Sequence, residues 1–290
     1  MNQDDDDISS AGQLLSILPS PILQQSVRRF KAGAWGEVEQ DNVSNEIPVA
    51  LVFNGISHVV MMATPQNLKA LALGFALSEG ILESPDECYG IEVVPIEAGI
   101  ATGGLTDACE VRIEISSRRF AGLKESKRSM SGRTGCGVCG VESLAAFELN
   151  TPQVQRPDWI EAVDPAKIIE VFDQLPQTQT LNLQTGSVHA AGWVSPEGVL
   201  IKTMEDVGRH NALDKLLGWR AGAGKHEAKD GFVIMTSRAS YELIRKCAFL
   251  NAPILATISA PTALAITMAT EAKMRLYGLC RKQQVVQYTD

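Results

Sequence analysis

The spacing of apolar residues changes along this chain, and the changes mark its elements. Between residues 47 and 62 two β-prone runs, Ile-Pro-Val-Ala-Leu-Val-Phe and Ile-Ser-His-Val-Val-Met-Met, flank Asn54-Gly55. Asn-Gly readily adopts the positive φ angles of a two-residue turn, so the stretch predicts a β-hairpin. From Pro65 to Leu82 the period lengthens. Leu68, Leu71, Phe75 and Leu82 fall near one helical face and Gly80 stands towards the end, which predicts a helix. Residues 90–95 and 108–116 read as two further strands. Beyond Asp164, Pro165 suits a first helical turn, and Ile168, Ile169, Val171, Phe172 and Leu175 continue the helix. A repeated format follows. Residues 231–236 form an apolar run that leads through Ser237-Arg238-Ala239-Ser240 into a helical pattern. Residues 253–258 lead through Ser259-Ala260-Pro261-Thr262 into another, and 275–279 read as a last strand. This alternation predicts a three-layer α/β domain around a largely parallel sheet.

Four segments result. Residues 1–25 hold Asp4-Asp5-Asp6-Asp7 and little to bury, and are expected to be a disordered acidic tail. Residues 26–117 form a small α+β domain. Residues 118–150 are a basic loop carrying two cysteines and the helix behind them. Residues 151–290 form the α/β domain.

Composition narrows the class. With 290 residues, 45% of them hydrophobic, two domains are expected. A net charge of −8 argues against general nucleic-acid binding. No basic segment followed by an apolar stretch opens the sequence, and no apolar run is long enough to span a bilayer, so neither a signal peptide nor a membrane association is expected. Six cysteines, at 88, 109, 136, 139, 247 and 280, form no disulfide framework, which points to a cytoplasmic protein with reduced thiols.

The richest stretch chemically is Ser131-Gly-Arg-Thr-Gly-Cys-Gly-Val-Cys-Gly140. A C-x-x-C pair serves as half of a zinc site, as a dithiol redox centre, or as a nucleophilic thiol that carries a group. A zinc site needs a second ligand pair, and the sequence has neither another C-x-x-C nor an H-x-x-x-H. A redox pair of the thioredoxin type follows a hydrophobic strand, whereas this one follows a cationic loop. Six cations between residues 118 and 133, set against Glu125 alone, favour thiolate over thiol. A carried sulfur is one of the reversible caps such a thiolate accepts. The second constellation is Glu205-Asp-Val-Gly-Arg-His-Asn211, at the start of a helix. There Arg209 could grip a phosphate or carboxylate, or the group could simply cap the helix and pair internally. His189 stands among small residues, where a hydrogen-bonded core role is equally open. The turns holding Ser237, Arg238, Ser240, Ser259 and Thr262 sit where open α/β sheets bind ligands, although such residues also cap helices. With Arg209 they point to a polyanionic, nucleotide-like ligand, and no Walker A or G-x-G-x-x-G motif is present.

Taken in order, G-R-T-G-C-G-V-C-G-V-E, T-G-x-x-H-A-A, E-D-V-G-R-H-N-A-L-D-K-L-L-G, S-R-A-S-Y-E and S-A-P-T-x-L-A-I resemble the FdhD family from about Ile47 to the C-terminus. The resemblance implies a sulfurtransferase, a sulfur carrier needed for active formate dehydrogenase. It implies that a cysteine desulfurase passes sulfur to Cys136 as a persulfide, with Cys139 assisting. The sulfur then goes to the molybdenum of bis(molybdopterin guanine dinucleotide), bound as cargo. The family's cofactor-contacting segment falls on Leu279, Cys280, Arg281, Lys282, Gln283 and Gln284, where a turn with more glycine and arginine is expected. His189, Arg209, His210, Ser237, Arg238, Ser240, Ser259 and Thr262 are further candidates for cofactor contact. The implied fold is a cytidine-deaminase-like three-layer α/β core without zinc ligands, with a smaller α+β N-terminal domain and a mobile C-x-x-C loop, in a homodimer. Two rivals are a molybdenum-cofactor-binding chaperone that moves no sulfur, and a dithiol oxidoreductase cycling through a Cys136–Cys139 disulfide.

Overall fold

The computed structural model describes residues 18–96, 106–128, 151–222 and 230–290. The chain opens with a two-stranded antiparallel ribbon, β1 (Ile22–Lys31) and β2 (Ala34–Ser44). The tail expected over residues 1–25 therefore gives way to a strand at Ile22. The ribbon escapes a reading by period because most of its side chains are exposed on both faces, so no buried face imposes alternation.

A four-stranded sheet follows, in the order β4-β3-β6-β5, from β3 (Ile47–Phe53), β4 (Ile56–Ala63), β5 (Cys88–Ile96) and β6 (Ala108–Ile115). The Asn54-Gly55 turn takes φ of 43° and 80°, the mirror-image turn that matches strand twist. Along β6, Val111, Ile113 and Ile115 are buried while Arg112 and Glu114 face out. Helix α1 (Leu68–Ser78) covers that buried face with Leu68, Leu71 and Phe75. Helix α2 (Ser117–Arg128) comes next, where a loop is expected from residue 118. Five of the six cations fall on this helix and hide it from a hydrophobic-period reading. Arg119 anchors it by pairing with Glu83 and with Glu87, the latter at 2.7 Å.

The second unit is built on a six-stranded sheet in the order β8-β7-β9-β10-β11-β12. Its strands are β7 (His189–Val194), β8 (Leu200–Asp206), β9 (Phe232–Met235), β10 (Ile254–Thr257), β11 (Arg275–Arg281) and β12 (Gln284–Gln287). Only β9, β10 and β11 run parallel. β7 is antiparallel to both β8 and β9, and β12 to β11. The largely parallel sheet read from the strand–helix format is thus confined to the centre, because two tight hairpins add the flanks. Both faces are covered. Val233 and Met235 of β9 pack with α5 (Arg209–Ala221), α6 (Tyr241–Phe249) and α7 (Ala263–Glu271). Phe232 and Ile234 pack on the opposite side with Ile168, Val171, Phe172 and Leu175 of α3 (Pro165–Thr178), whose start is capped by the Asp164 carboxylate accepting from Ala166 N. Between α3 and β7 lies a single turn, α4 (Asn182–Thr185). Among the described residues no helix is long and apolar enough to cross a membrane.

The two units meet where α1 crosses α5 at glycine. A Cβ on Gly74 would sit 1.8 Å from the carbonyl oxygen of Asp214, and one on Gly218 would sit 1.9 Å from that of Ala70. Beside this contact Lys246 Nζ donates to Glu79 Oε1 at 2.7 Å, Asp214 Oδ2 at 2.9 Å and Ser78 Oγ at 2.9 Å. A buried cation with three partners from both units satisfies its charge and fixes their docking.

Candidate functional site along one edge of the central sheet

The carboxyl ends of β9, β10 and β11 bring most of the sequence candidates into one row. Because β7 runs against β9, its first residues meet the end of β9: Thr236 N donates to Ala190 O at 3.1 Å, and Ala190 N donates to Thr236 Oγ1 at 2.9 Å. His189 therefore lies at this edge, paired in register with Asp206 of β8. The turn after β9 holds Ser237, Arg238 and Ser240. Ile258 N donates to Met235 O and Thr262 N to Ala239 O, which sets the turn after β10 alongside it. Leu279 N donates to Ser259 O at 3.3 Å and brings in β11.

Glu205-Asp-Val-Gly-Arg-His-Asn divides into two groups. Glu205 is buried, and its carboxylate accepts from Leu181 N at 2.9 Å and Asn182 N at 2.8 Å. Asp206 is fully buried; its Oδ2 lies 2.6 Å from Lys215 Nζ and accepts from Thr64 N, while its Oδ1 accepts from Gly208 N and Asn211 Nδ2. These residues form the internal ion pair and helix support that the sequence left open. Arg209 and His210 do not join that network. Arg209 Nε is buried and meets no acceptor among the described residues. His210 Nε2 lies 3.6 Å from Glu242 Oε2, beyond hydrogen-bond length. Burial would raise the Glu242 carboxyl, but His210 and Ser240 outweigh it and hold it down at about 2. Burial pushes His189 down, and Arg209 and His210 push it further, leaving it neutral at neutral pH. Glu242 was not singled out from the sequence. Its place next to the Ser240–Tyr241 helix start was the available signal, since a carboxylate there could face the histidine of the neighbouring loop.

The other candidates differ in what they offer. Arg238, Arg281 and Lys282 are exposed cations on this edge. Thr262 Oγ1 accepts from Ala265 N at 3.2 Å and so caps α7, and Ser237 Oγ donates to Arg238 O at 3.1 Å. Cys280 is fully buried among the residues packed on α3, and burial pushes its thiol up to about 12, so its side chain stays a neutral core group. Lys282 and Gln283 form the β11–β12 turn with φ of 54° and 59°, and Leu279 has φ of 52°. These left-handed positions give the physical reason for expecting more glycine in this turn. Gln283 Nε2 donates to Asp173 Oδ2 at 3.3 Å, and Gln284 pairs in register with Arg281.

Cys136 and Cys139 lie outside the described residues, as does Arg133. Of the cations preceding them, Arg119 is committed to Glu83 and Glu87 and Lys124 stands 4.2 Å over the Phe120 ring.

The edge sets a neutral histidine, a guanidinium with a buried N–H that has no partner among the described residues, and three exposed cations beside two hydroxyl-bearing turns. Such a surface suits phosphoryl oxygens spread over a long ligand. Comparison with known proteins gives the lineage. A model of the FdhD/NarQ family matches residues 44–290. A sulfur carrier protein FdhD from Chromobacterium violaceum is 51% identical over 249 residues, 86% of this chain and 88% of its own. Another of that name from Burkholderia mallei is 44% identical over 273 residues, 94% of this chain and 97% of its own. A crystal structure from Desulfotalea psychrophila, provisionally assigned as a formate dehydrogenase accessory protein, is 19% identical with a TM-score of 0.67, covering 93% of this chain and 98% of that one.

Proposed function

The chain belongs to the FdhD/NarQ family, and from that premise we propose that it is a sulfur carrier required for formate dehydrogenase activity. The single observation that carries this is the match, over most of both chains, to relatives named sulfur carrier protein FdhD, with Cys136-Gly-Val-Cys139 inside the matched region. Cys136 thiolate attacks the outer sulfur of a cysteine desulfurase persulfide. The S–S bond there breaks, the desulfurase thiolate leaves, and the sulfur stays on Cys136. In delivery, Cys139 thiolate attacks Sγ of Cys136 and the terminal sulfur leaves as hydrosulfide. The two cysteines supply its two electrons and become a disulfide, which a cellular dithiol then reduces.

The acceptor in this reading is the molybdenum of bis(molybdopterin guanine dinucleotide), bound as cargo before insertion into formate dehydrogenase. The row of Arg209, Arg238, Arg281 and Lys282 supports it, since a ligand with two diphosphates needs separated cations. The buried, unpartnered Nε of Arg209 is the donor on this edge that most needs such an acceptor. The strand order β8-β7-β9-β10-β11, with β7 antiparallel, supports a cytidine-deaminase-like core. A homodimer working in the cytoplasm completes the proposal.

The test is maturation of formate dehydrogenase in cells that make the chain with Cys136→Ala. Formate dehydrogenase activity falls to background while the circular dichroism and melting of the purified variant match those of the parent. Retained activity would mean that the chain delivers the cofactor without moving sulfur, as a chaperone does.

A further inference from the structure

A cavity of about 250 Å³ opens at the opposite edge of the six-stranded sheet, where Gly231 and Pro253 precede β9 and β10. None of the candidate residues above lines it. Its walls carry Arg156, Trp159, Arg220 and Asp230, with Pro157 and Pro253 adding apolar surface. Three N–H donors at or beside it are buried and bond to nothing among the described residues: Trp159 Nε1, Trp193 Nε1 and Arg220 Nε. Trp193 is fully buried behind the wall, with Arg220 4.4 Å over its ring, and a Cβ on Gly231 would come within 2.7 Å of its Nε1, so only glycine fits between the indole and the cavity. Gly231 also has φ of 154°, a conformation that side-chain-bearing residues rarely adopt.

The walls therefore have an excess of donors. Arg220 Nη1 donates to Leu250 O at 2.7 Å, which fixes the guanidinium and leaves its Nε free. Burial pushes Arg220 down from its ordinary value and Asp230 only partly offsets this. Among the described residues Asp230 is the one carboxylate of the walls; it is exposed and accepts from none of the three orphaned donors. Buried donors of this kind call for an acceptor, and indole and proline surfaces favour an organic body over a bare, strongly hydrated ion. We propose that this cavity binds a small molecule bearing a carboxylate, whose oxygens accept from Arg220 Nε and Trp159 Nε1 while its apolar part rests on Pro157 and Pro253. The helix that starts with Arg209 at the candidate site ends beside Arg220 at this cavity, so the two sites occupy opposite ends of α5. The inference stands apart from the sulfur-carrier reading.

Titration of the full chain with sodium benzoate, followed by tryptophan fluorescence and calorimetry, tests it. One saturable site per chain is expected. Its affinity falls at least tenfold in Arg220→Lys, which keeps the charge and removes the Nε donor, and falls several-fold in Trp159→Phe, which removes the other donor and keeps an aromatic wall. Arg209→Ala leaves it unchanged. Absence of saturable binding overturns the proposal, as does binding that survives both cavity variants or is lost in Arg209→Ala. Inorganic phosphate binding in preference to benzoate overturns the assignment to a carboxylate.

Discussion

Arg209 and Glu79 show how differently two charged residues can be used in one chain. Arg209 holds a buried Nε without an acceptor among the described residues, whereas Glu79 has cations at both oxygens: Lys246 at 2.7 Å and Arg245 at 3.1 Å. A hydrogen bond between charged groups contributes about 1.5–3 kcal/mol, so Arg209→Ala is expected to weaken GDP, a fragment of the proposed cargo, by roughly tenfold to a hundredfold in calorimetry. An unchanged affinity would remove Arg209 from the binding edge. For Glu79, burial raises the carboxyl, but Lys246 and then Arg245 override it and hold it at about 2. Its folded value lies below its unfolded value of about 4.3, so the stability it contributes is present above that pH and is lost as pH falls towards 2. A shift of this size corresponds to roughly 3 kcal/mol, reduced to about 2 by partial exposure of the side chain. Urea midpoints of Glu79→Gln should therefore lie well below those of the parent at pH 7 and converge with them near pH 2. Curves that stay parallel through that window would show that the ion pairs do not supply the stability.

At the scale of elements, the α1–α5 crossing joins the two units through glycine. Gly74→Ala must push its Cβ away from the Asp214 carbonyl, 1.8 Å from its ideal position, and no rotamer change relieves a clash with backbone. We expect a loss of about 3 kcal/mol or more, read as a lowered urea midpoint, with the same for Gly218→Ala. A change below about 1 kcal/mol would mean that the helices can part without cost. Elements with a one-sided buried face were legible in the sequence. The Asn54-Gly55 hairpin and α3 follow their patterns because burial on one side writes the period into the residues, and α1, buried nearly all round, shows it through Leu68, Leu71 and Phe75 on its sheet face. The β1–β2 ribbon was not legible, since exposure on both faces leaves no period to read, and α2 was masked by its charge. The flanking antiparallel strands were missed because β7 reads His-Ala-Ala-Gly-Trp-Val, whose small residues carry little strand signal, and β12 has only four residues.

At the scale of the molecule, one edge of the six-stranded sheet gathers segments spread from residue 189 to residue 284. The motifs announced which segments mattered, and the fold sorted their side chains. In the Glu205–Asn211 stretch, Glu205, Asp206 and Asn211 hold the structure, while His210 faces Glu242 and Arg209 Nε is left without an acceptor among the described residues. That partition could not be read from spacing, because each of these residues is equally able to pair internally or to bind. Cys280 illustrates the converse: the motif points to it, yet its side chain belongs to the core. The account as a whole rests on sulfur resting on Cys136. The most direct measurement is intact-protein mass spectrometry after incubation with a cysteine desulfurase and free cysteine. The account predicts a gain of one sulfur atom that reductant reverses and that Cys136→Ala lacks. An unchanged mass in the parent chain, with GDP still bound at the sheet edge, would contradict it and leave a protein that binds the cofactor without carrying sulfur.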